Sequence, residues 1–289
     1  MSRVALGTVQ FGLDYGVANN AGKVCGGEAN AILEVAKKNG IDVLDTAILY
    51  GDSEKTLGKL GTSGFNIITK LPALPEGQVN AYDWVRQQAQ DSLNRLGVES
   101  LYGLLLHRPN QLLGKNGAEI YRGLQSLKSD ALVDKIGLSI YSSSELCDMF
   151  GRYKFDIIQA PFNLIDRELD TSGWMNRLKD LDVEIHSRSA FLQGLLLMNE
   201  ADIPARFFAW RGLFEKWHRW VEEFGCSKLE ACMAFPLQYA QIDRVIVGVD
   251  TASQLSQIIE ATGGISINNF PDIQSLDQNL INPANWSAP

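Results

Sequence analysis

Short runs of aliphatic and β-branched residues alternate eight times with longer amphipathic stretches along this chain. In the amphipathic stretches, apolar residues recur at helical spacing, as in Gly27 to Asn39 and Tyr82 to Leu96. Strands that alternate with helices in this way form a parallel sheet covered by those helices. We therefore predict strands at Val4 to Thr8, Ile41 to Asp45, Asn66 to Lys70, Leu101 to His107, Lys135 to Ser139, Asp156 to Gln159, Val183 to Ser187 and Arg244 to Gly248.

The number of strand and helix units selects the topology. Eight units without a break in composition predict one closed (β/α)8 TIM barrel, a single α/β domain spanning residues 1–289. An open doubly wound sheet is the competing topology, but it normally has GxGxxG after its first strand, and this chain lacks that fingerprint. From about Gly263 the chain loses periodicity and gains Asn, Pro and Ser, which predicts an irregular C-terminal tail. That tail could close over a substrate or cap the barrel.

Composition excludes several classes of function. The formal net charge of −8 repels polyanions, which argues against nucleic acid as a main partner. No apolar run reaches the roughly 18 residues that a membrane span needs. The N-terminus lacks the pattern of a secretory signal, so the expected location is cytoplasmic. The histidines and cysteines show no metal-ligand spacing, so no metal site is predicted.

Three neighbouring predicted strands end in an ionisable residue. Asp45, Lys70 and His107 occupy these ends, and Tyr50 follows Asp45 in a short loop. In a barrel of this class, residues at the carboxyl ends of strands face the active-site mouth. Ionisable groups directly after apolar strands are costly unless they are solvated or paired, so we expect these side chains to meet in one cluster.

The four side chains suggest acid catalysis on a carbonyl group. Tyr50 would donate a proton to the carbonyl oxygen, with Lys70 lowering the pKa of its phenol from about 10 and Asp45 orienting Lys70. His107 would offer a hydrogen bond that positions the substrate oxygen. The set contains no redox-active group, so the hydride must come from a cofactor.

The region around this cluster resembles the signature of the aldo-keto reductase superfamily. It runs from Gly40 to Gly51 and continues with Ser53-Glu54 and Leu57-Gly58. Further matches follow in the same order along nearly the whole chain: Leu6 to Gly12, Thr69-Lys70, Leu105 to His107, Ile136 to Ser139, Gln159 to Arg167, Gln193 to Leu196 and Val245 to Gly248. The resemblance implies a (β/α)8 barrel whose Asp, Tyr, Lys and His tetrad is Asp45, Tyr50, Lys70 and His107, with NADPH, or NADH as the alternative, bound across the barrel mouth.

The same resemblance implies where a nicotinamide cofactor would bind. The implied contacts are Gly7, Thr8 and Asp45 near the nicotinamide, Ser139 and Gln159 at its carboxamide, Ser187 and Leu192 to Gly194 along the pyrophosphate, and Gly248 to Thr251 with Gln254 around the adenosine phosphate. Thr251 also has a physical basis, because it can open a helix whose free N–H groups favour an anion.

Several positions depart from the family pattern. Ile140 stands where Asn is common, which weakens one carboxamide contact. The run His186-Ser187-Arg188 lacks the usual aromatic, so stacking on the nicotinamide must be weaker or come from His186 or Phe191. Asp250 would repel a 2′-phosphate, and Ile258 replaces an expected Asn, so the sequence does not decide between NADPH and NADH.

The expected substrate is a small aldehyde or ketone, with a sugar carbonyl included. Two alternatives differ in class. Lys70 could form a Schiff base in a lyase, although an adjacent Asp45 would oppose the low pKa this needs. The altered positions could instead mark a nicotinamide-binding regulatory subunit that has lost turnover. The sequence does not determine the oligomeric state.

Overall fold

The protein is an eight-stranded parallel barrel in its computed structural model, which describes residues 2–17, 19, 22–264 and 266–286. Each strand pairs with its neighbour in chain order, and the last pairs with the first to close the barrel. This confirms the predicted (β/α)8 fold. The strands are β1 (Val4–Gly7), β2 (Val43–Asp45), β3 (Asn66–Leu71), β4 (Leu101–Leu106), β5 (Val133–Ser139), β6 (Ile157–Pro161), β7 (Glu184–Arg188) and β8 (Arg244–Gly248).

Helices cover the outside of the barrel. The helix Ala81–Leu96 illustrates why they form. Asn80 caps its first turn by accepting a hydrogen bond from the Asp83 N–H, and Gly97 ends it in the left-handed conformation. The helices are α1 (Gly26–Lys38), α2 (Ser53–Leu60), α3 (Ala81–Leu96), α4 (Gly117–Ser129), α5 (Glu145–Met149), α6 (Glu168–Thr171), α7 (Trp174–Asp180), α8 (Arg211–Phe224), α9 (Lys228–Leu237), α10 (Ala252–Thr262) and α11 (Gln278–Ile281).

The alternation of side chains along each strand positions the polar groups. A small apolar cluster fills the barrel interior: Ala5, Val43, Ile68, Leu105, Ile157 and Ile246. Because strand side chains alternate between faces, the residue two positions further on points the same way, one layer nearer the carboxyl ends. Val43 is thus followed by Asp45, Ile68 by Lys70 and Leu105 by His107. The strand period therefore brings these three groups to one mouth of the barrel.

The predicted end of β7 needs a correction. The strand was predicted over Val183 to Ser187, but it runs from Glu184 to Arg188. Val183 and Ile185 are buried in the core between strands and helices, and Ser187 shares their side of the strand. Arg188, one residue beyond the predicted end, therefore faces the interior with Glu184 and His186.

The C-terminal tail packs on the outside of the barrel. Its Phe270 ring lies 5.9 Å from Trp220 on α8, and its Trp286 ring lies 4.8 Å from Phe207. Beyond Gly263 it contains the short helix α11 and a 3₁₀ turn at Pro283–Asn285, while residues 265 and 287–289 lie outside the described residues. No described residue of this tail lines the large cavity at the barrel mouth.

The described residues include neither a membrane-spanning helix nor a cluster of metal ligands. Within them, no helix is both long and apolar enough to cross a bilayer. Nor do three or more His, Cys, Asp or Glu side chains in those ranges come together in a group that could hold a metal ion.

Candidate active site

A cavity of about 670 Å³ opens at the carboxyl ends of the strands. Asp45, Tyr50 and His107 line it, and Lys70 lies in the wall behind them. A cavity of this size is typical of small-molecule sites. The four side chains predicted to form a cluster therefore do come together, at the mouth where barrel enzymes place their chemistry.

Lys70 is the centre of the cluster. Its Nζ donates to Asp45 Oδ2 at 2.6 Å, to the Thr46 carbonyl oxygen at 2.9 Å and to the Tyr50 hydroxyl at 3.4 Å. The side chain is fully buried, and an ammonium group has three N–H donors. All three are used, so the amine has a fixed position and orientation.

The loop that carries Tyr50 is held by close backbone packing. A Cβ atom at Gly12 would lie only 1.8 Å from the Tyr50 carbonyl oxygen, so only glycine fits there. Gly51 has a φ of +54°, in the left-handed region that glycine tolerates best. The Ser53 N–H donates to the Tyr50 carbonyl at 3.0 Å. These contacts fix the backbone on both sides of the phenol.

His107 faces the Tyr50 ring edge to face. The ring centroids are 5.8 Å apart and the planes are inclined by 80°. Among the described residues, the buried Nδ1 atom of His107 has no hydrogen-bond partner. Burial lowers the pKa of His107 to about 3, and the charges of Lys70, Arg188 and Arg108 act in the same direction. The imidazole is therefore neutral at neutral pH.

The electrostatics of Tyr50 differ from the expectation. Burial raises the pKa of its hydroxyl well above the ordinary value, and the negative charge of Asp45 raises it further. The predicted lowering of this pKa is therefore wrong, because burial and Asp45 raise it instead. Lys70 is paired with Asp45 at 2.6 Å, so a carboxylate of opposite charge lies beside the ammonium group. Burial also lowers the pKa of Lys70, and Asp45 raises it.

A hydrogen-bonded chain extends the cluster across the barrel. The Ser139 hydroxyl donates to Gln159 Oε1 at 3.0 Å, and Gln159 Nε2 donates to Asp45 Oδ1 at 2.7 Å. Ser139 and Gln159 both line the cavity, whereas Ile140 is fully buried away from it. The wall therefore presents the Ser139 hydroxyl and the Gln159 amide, and the next position, Ile140, adds no polar group to it.

The cavity wall beside this chain contains two glycines. Gly7, Thr8 and Gly248 all line it, and a Cβ atom at Gly248 would lie 2.7 Å from Gln10 Nε2. The buried Gln10 Oε1 has no partner among the described residues. A glycine-lined wall next to amide and hydroxyl groups fits a planar ring that carries a carboxamide. The predicted nicotinamide site therefore agrees with the shape and donor set of this wall.

The loop after β7 differs from its predicted contacts. Ser187 and Leu192 are fully buried and do not line the cavity, whereas Gly194 does. Gln193, within the predicted range Leu192 to Gly194, and Phe191 also line it, and the lining positions without a predicted contact include Arg188 and Ser189. The alternation of side chains along β7 indicates this outcome. Ser187 stands two residues after the outward-facing Ile185, so it shares that face and points away from the cavity.

His186 does not line the cavity. Its Nε2 atom is hydrogen-bonded to Glu184 Oε2 at 3.2 Å. Glu184 also accepts from Tyr102 and Lys135, so His186 belongs to a polar network inside the lower barrel. Of the two side chains considered for stacking, only Phe191 reaches the cavity.

The end of the cavity near α10 is less suited to an anion than predicted. Thr251 caps α10, as expected, but it does not line the cavity. The N–H groups of Asp250 and Thr251 are taken by Gln254 Oε1 at 2.7 and 3.3 Å, and that of Ala252 by Glu28 Oε1 at 2.6 Å. Within the first turn, the Glu28 carboxylate and the capping box therefore take the N–H groups of Ala252 and Gln254, so the prediction of free N–H groups is wrong at these two positions.

Other residues that were predicted at this end of the cavity do line it. Gly248 and Gln254 line the cavity, together with Asp250 and Ile258. Asn19 Nδ2 donates to Asp250 Oδ1 at 3.1 Å, which links the loop after β1 to the loop after β8. Burial raises the pKa of Asp250.

Known proteins with similar sequences are oxidoreductases. Oxidoreductase sirO of Leptosphaeria maculans is 27% identical over 220 residues, which are 72% of this chain and 65% of that protein. The chain thus spans slightly less than two thirds of that relative. D-threo-aldose 1-dehydrogenase of a Pseudomonas species is 27% identical over 290 residues, covering 86% of this chain and 88% of that protein.

The fold also matches solved structures. The aldo-keto reductase AKR11C1 from Bacillus halodurans, in its holo form, superposes with a TM-score of 0.74 at 17% identity, covering 92% of this chain and 88% of that chain. The sequence model of the Aldo/keto reductase family matches residues 3–278. With that match over nearly the whole chain, the protein belongs to the aldo/keto reductase family.

Proposed function

We propose that the protein reduces the carbonyl group of a small aldehyde or ketone, sugar carbonyls included, with Tyr50 as the proton donor. The observation that carries this proposal is the position of Lys70 Nζ between Asp45 Oδ2 at 2.6 Å and the Tyr50 hydroxyl at 3.4 Å. A bound nicotinamide cofactor would supply the hydride. A sugar substrate is included because one relative is named D-threo-aldose 1-dehydrogenase.

Each residue of the cluster has a distinct task. Tyr50 stays protonated because its pKa is raised, so it can donate its proton to the substrate oxygen. Neutral His107 offers an N–H group to the same oxygen without placing a second cation beside Lys70. When Tyr50 becomes a phenolate, the adjacent Lys70 ammonium stabilises it. Asp45 holds that ammonium, and Gln159 holds Asp45.

The proposed cofactor is NADPH, with NADH as the alternative. Gly7, Thr8, Ser139 and Gln159 would surround the nicotinamide, and Gly194, Gly248 and Gln254 would lie along the rest of the molecule. Ser187 and Leu192 are buried and Thr251 does not line the cavity, so these three residues leave this set of contacts.

The test is a turnover assay at neutral pH. The absorbance of NADPH and of NADH is followed against a panel of aldehydes, ketones and sugar carbonyls. Consumption of the reduced cofactor that depends on the carbonyl compound supports the proposal. Cofactor binding by fluorescence quenching, without consumption across the panel, would instead favour the regulatory alternative. The lyase alternative is opposed by Lys70, which is fully buried and does not line the cavity.

The pH dependence of the reduction follows from the two pKa shifts. The raised pKa of Tyr50 keeps the acid protonated as the pH rises, and the lowered pKa of His107 keeps the imidazole neutral as the pH falls. Neither group titrates in the neutral range, so we expect a kcat for reduction that is flat between about pH 6 and 9. Steady-state kinetics at saturating substrate measure this profile. A fall in kcat between pH 7 and about 9 that follows one ionisation would contradict the raised pKa of Tyr50.

Cofactor preference depends on the charge at Asp250. This carboxylate lines the cavity, and a 2′-phosphate beside it would be repelled. We expect Asp250→Arg to lower the Kd for NADPH relative to that for NADH by about tenfold, the scale of one charge-assisted contact. Asp250→Asn removes the charge without adding a cation, so it should give a smaller shift in the same direction. Equal Kd ratios in all three proteins, measured by fluorescence titration, would place the adenosine end elsewhere.

A further inference from the structure

Two guanidinium groups flank one tyrosine ring in the cavity wall. Arg188 Cζ lies 4.6 Å from the centroid of the Tyr141 ring, and Arg108 Cζ lies 5.6 Å from it. All three residues line the cavity with His107 and Tyr50. Arg108 directly follows His107 in the chain, and Arg188 ends β7 two residues after His186. The pair thus lies on the same mouth of the barrel as the reacting groups.

Among the residues that the structure describes, neither arginine has an acidic partner. Within the described ranges, no carboxylate oxygen lies within 4.0 Å of either guanidinium group. Arg188 has a small electrostatic effect on Asp166, a buried carboxyl whose pKa is raised by burial to about 7. The two acidic residues that line the cavity are occupied elsewhere: Asp45 pairs with Lys70, and Asp250 accepts from Asn19.

The side chain of Arg188 is held by hydrogen bonds that use only part of its N–H donors. Its Nη2 donates to the Ile140 carbonyl oxygen at 2.8 Å, and its Nη1 donates to the Ser189 hydroxyl at 3.3 Å. A guanidinium group has five N–H donors, so three stay available to a ligand. Arg188 is half-buried at the end of a strand, which makes its position more rigid than that of an exposed surface arginine.

Two guanidinium cations beside the same ring repel each other unless an anion compensates their charge. The charges of Arg188 and Arg108 both lower the pKa of His107, so they lie close enough for an appreciable electrostatic effect. Arginine also prefers carboxylate and phosphate, whose oxygens match its planar fork of N–H groups. In a chain with a net charge of −8, such a basic wall is a local feature of this cavity.

We propose that Arg188 and Arg108 bind an anionic group of the substrate, a carboxylate or a phosphate, so that the protein selects negatively charged carbonyl compounds. The proposal rests on the proposed reductase activity, because the selection is measured by turnover of carbonyl compounds. Both guanidinium groups lie against the Tyr141 ring, Arg188 at 4.6 Å and Arg108 at 5.6 Å from its centroid, so the two cations are neighbours at one place in the cavity wall. Arg188 is the main determinant, because it is the more buried of the two.

The test compares matched carbonyl compounds that differ in charge. Succinic semialdehyde is paired with butanal, and glyceraldehyde 3-phosphate with glyceraldehyde. We expect the wild-type kcat/KM to favour the charged member of at least one pair by about tenfold or more, the scale of a charge-assisted hydrogen bond. The pair that shows the preference identifies carboxylate or phosphate as the preferred anion.

Variants assign the preference to the two arginines. Arg188→Gln should raise KM for the charged compound by at least about tenfold and change kcat/KM for its neutral partner by less than about threefold. Arg108→Gln should have a smaller effect, and Arg188→Lys should restore part of the preference, because lysine keeps the charge without the planar fork. Arg152→Gln is the control for net charge, since Arg152 is exposed and outside the cavity.

Anion binding without turnover separates the two proposals. Calorimetry with succinate and with inorganic phosphate should show binding to the wild type that Arg188→Gln abolishes. If no carbonyl compound is reduced but this binding is seen, the anion site stands and the reductase proposal fails. Reduction of neutral compounds equal to or better than that of their charged partners would overturn the anion site. So would an Arg188→Gln effect confined to the Kd of the cofactor.

Discussion

Replacement of Tyr50 by phenylalanine is expected to lower kcat for carbonyl reduction by about 10²- to 10⁴-fold, the contribution of a positioned general acid. The variant keeps the aromatic ring and its edge contact with His107, whose centroid lies 5.8 Å away. It loses only the hydroxyl, which accepts one long contact of 3.4 Å from Lys70. Protein stability and the Kd of the cofactor should therefore change little.

A matched control separates loss of the acid from loss of a hydroxyl. The Tyr153 hydroxyl donates to the Leu112 carbonyl oxygen at 3.3 Å, outside the cavity. Tyr153→Phe should keep wild-type kcat. Single-turnover kinetics with bound reduced cofactor measure the chemical step directly. Undiminished turnover in Tyr50→Phe would remove this residue from the acid role, whatever the control showed.

The second large effect is expected when the Lys70 and Asp45 pair is broken. Asp45→Asn keeps the shape of the side chain but leaves a fully buried ammonium without its counter-ion. Removing one partner of such a pair costs about 3 to 5 kcal/mol, a large share of the roughly 5 to 15 kcal/mol that stabilises a typical protein. Urea denaturation should show this loss, and carbonyl reduction should fall as well, because Lys70 loses its orientation.

The pH dependence of this stability loss has a defined sign. Burial lowers the pKa of Lys70 in the folded protein, and without Asp45 nothing of comparable size raises it. Between the folded and unfolded pKa values, the unfolded chain binds more protons, so the free energy of unfolding rises with pH. The deficit of Asp45→Asn should accordingly shrink as the pH is raised toward the ordinary lysine value.

An exposed ion pair provides the comparison. Arg86 and Asp130 are 2.7 Å apart, but half of the Asp130 side chain is exposed. Asp130→Asn should cost less than about 1 kcal/mol, as surface pairs do. Equal costs for Asp45→Asn and Asp130→Asn would mean that the buried pair contributes no special stability, and the role of Asp45 would need revision.

The strand pattern and the catalytic cluster could be predicted because both are local in sequence. Apolar runs marked every strand to within about two residues. Asp45, Lys70 and His107 each stand at the end of such a run, and parallel strands of a barrel bring their carboxyl ends together. The position of Tyr50 in the adjoining loop followed from the same argument.

The contacts of the proposed cofactor site were predicted less well. Ser187 and Leu192 are buried, while Arg188 and Phe191 line the cavity. One residue of error at the end of a strand reverses which side chain faces the interior. Prediction from the family pattern assigned residues by order along the chain, and that order does not fix the face of the strand.

The sequence by itself determined the barrel and the four side chains at its mouth, because the spacing of apolar residues and the order of the strands are local properties of the chain. Only the tertiary structure decided their electrostatics and their free donors. Gln159 reaches Asp45 across 114 positions, and Glu28 reaches Ala252 across 224. Such partners set which N–H groups stay free and how far a pKa moves. Burial and distance in space control both, and neither is a property of neighbouring residues in the chain.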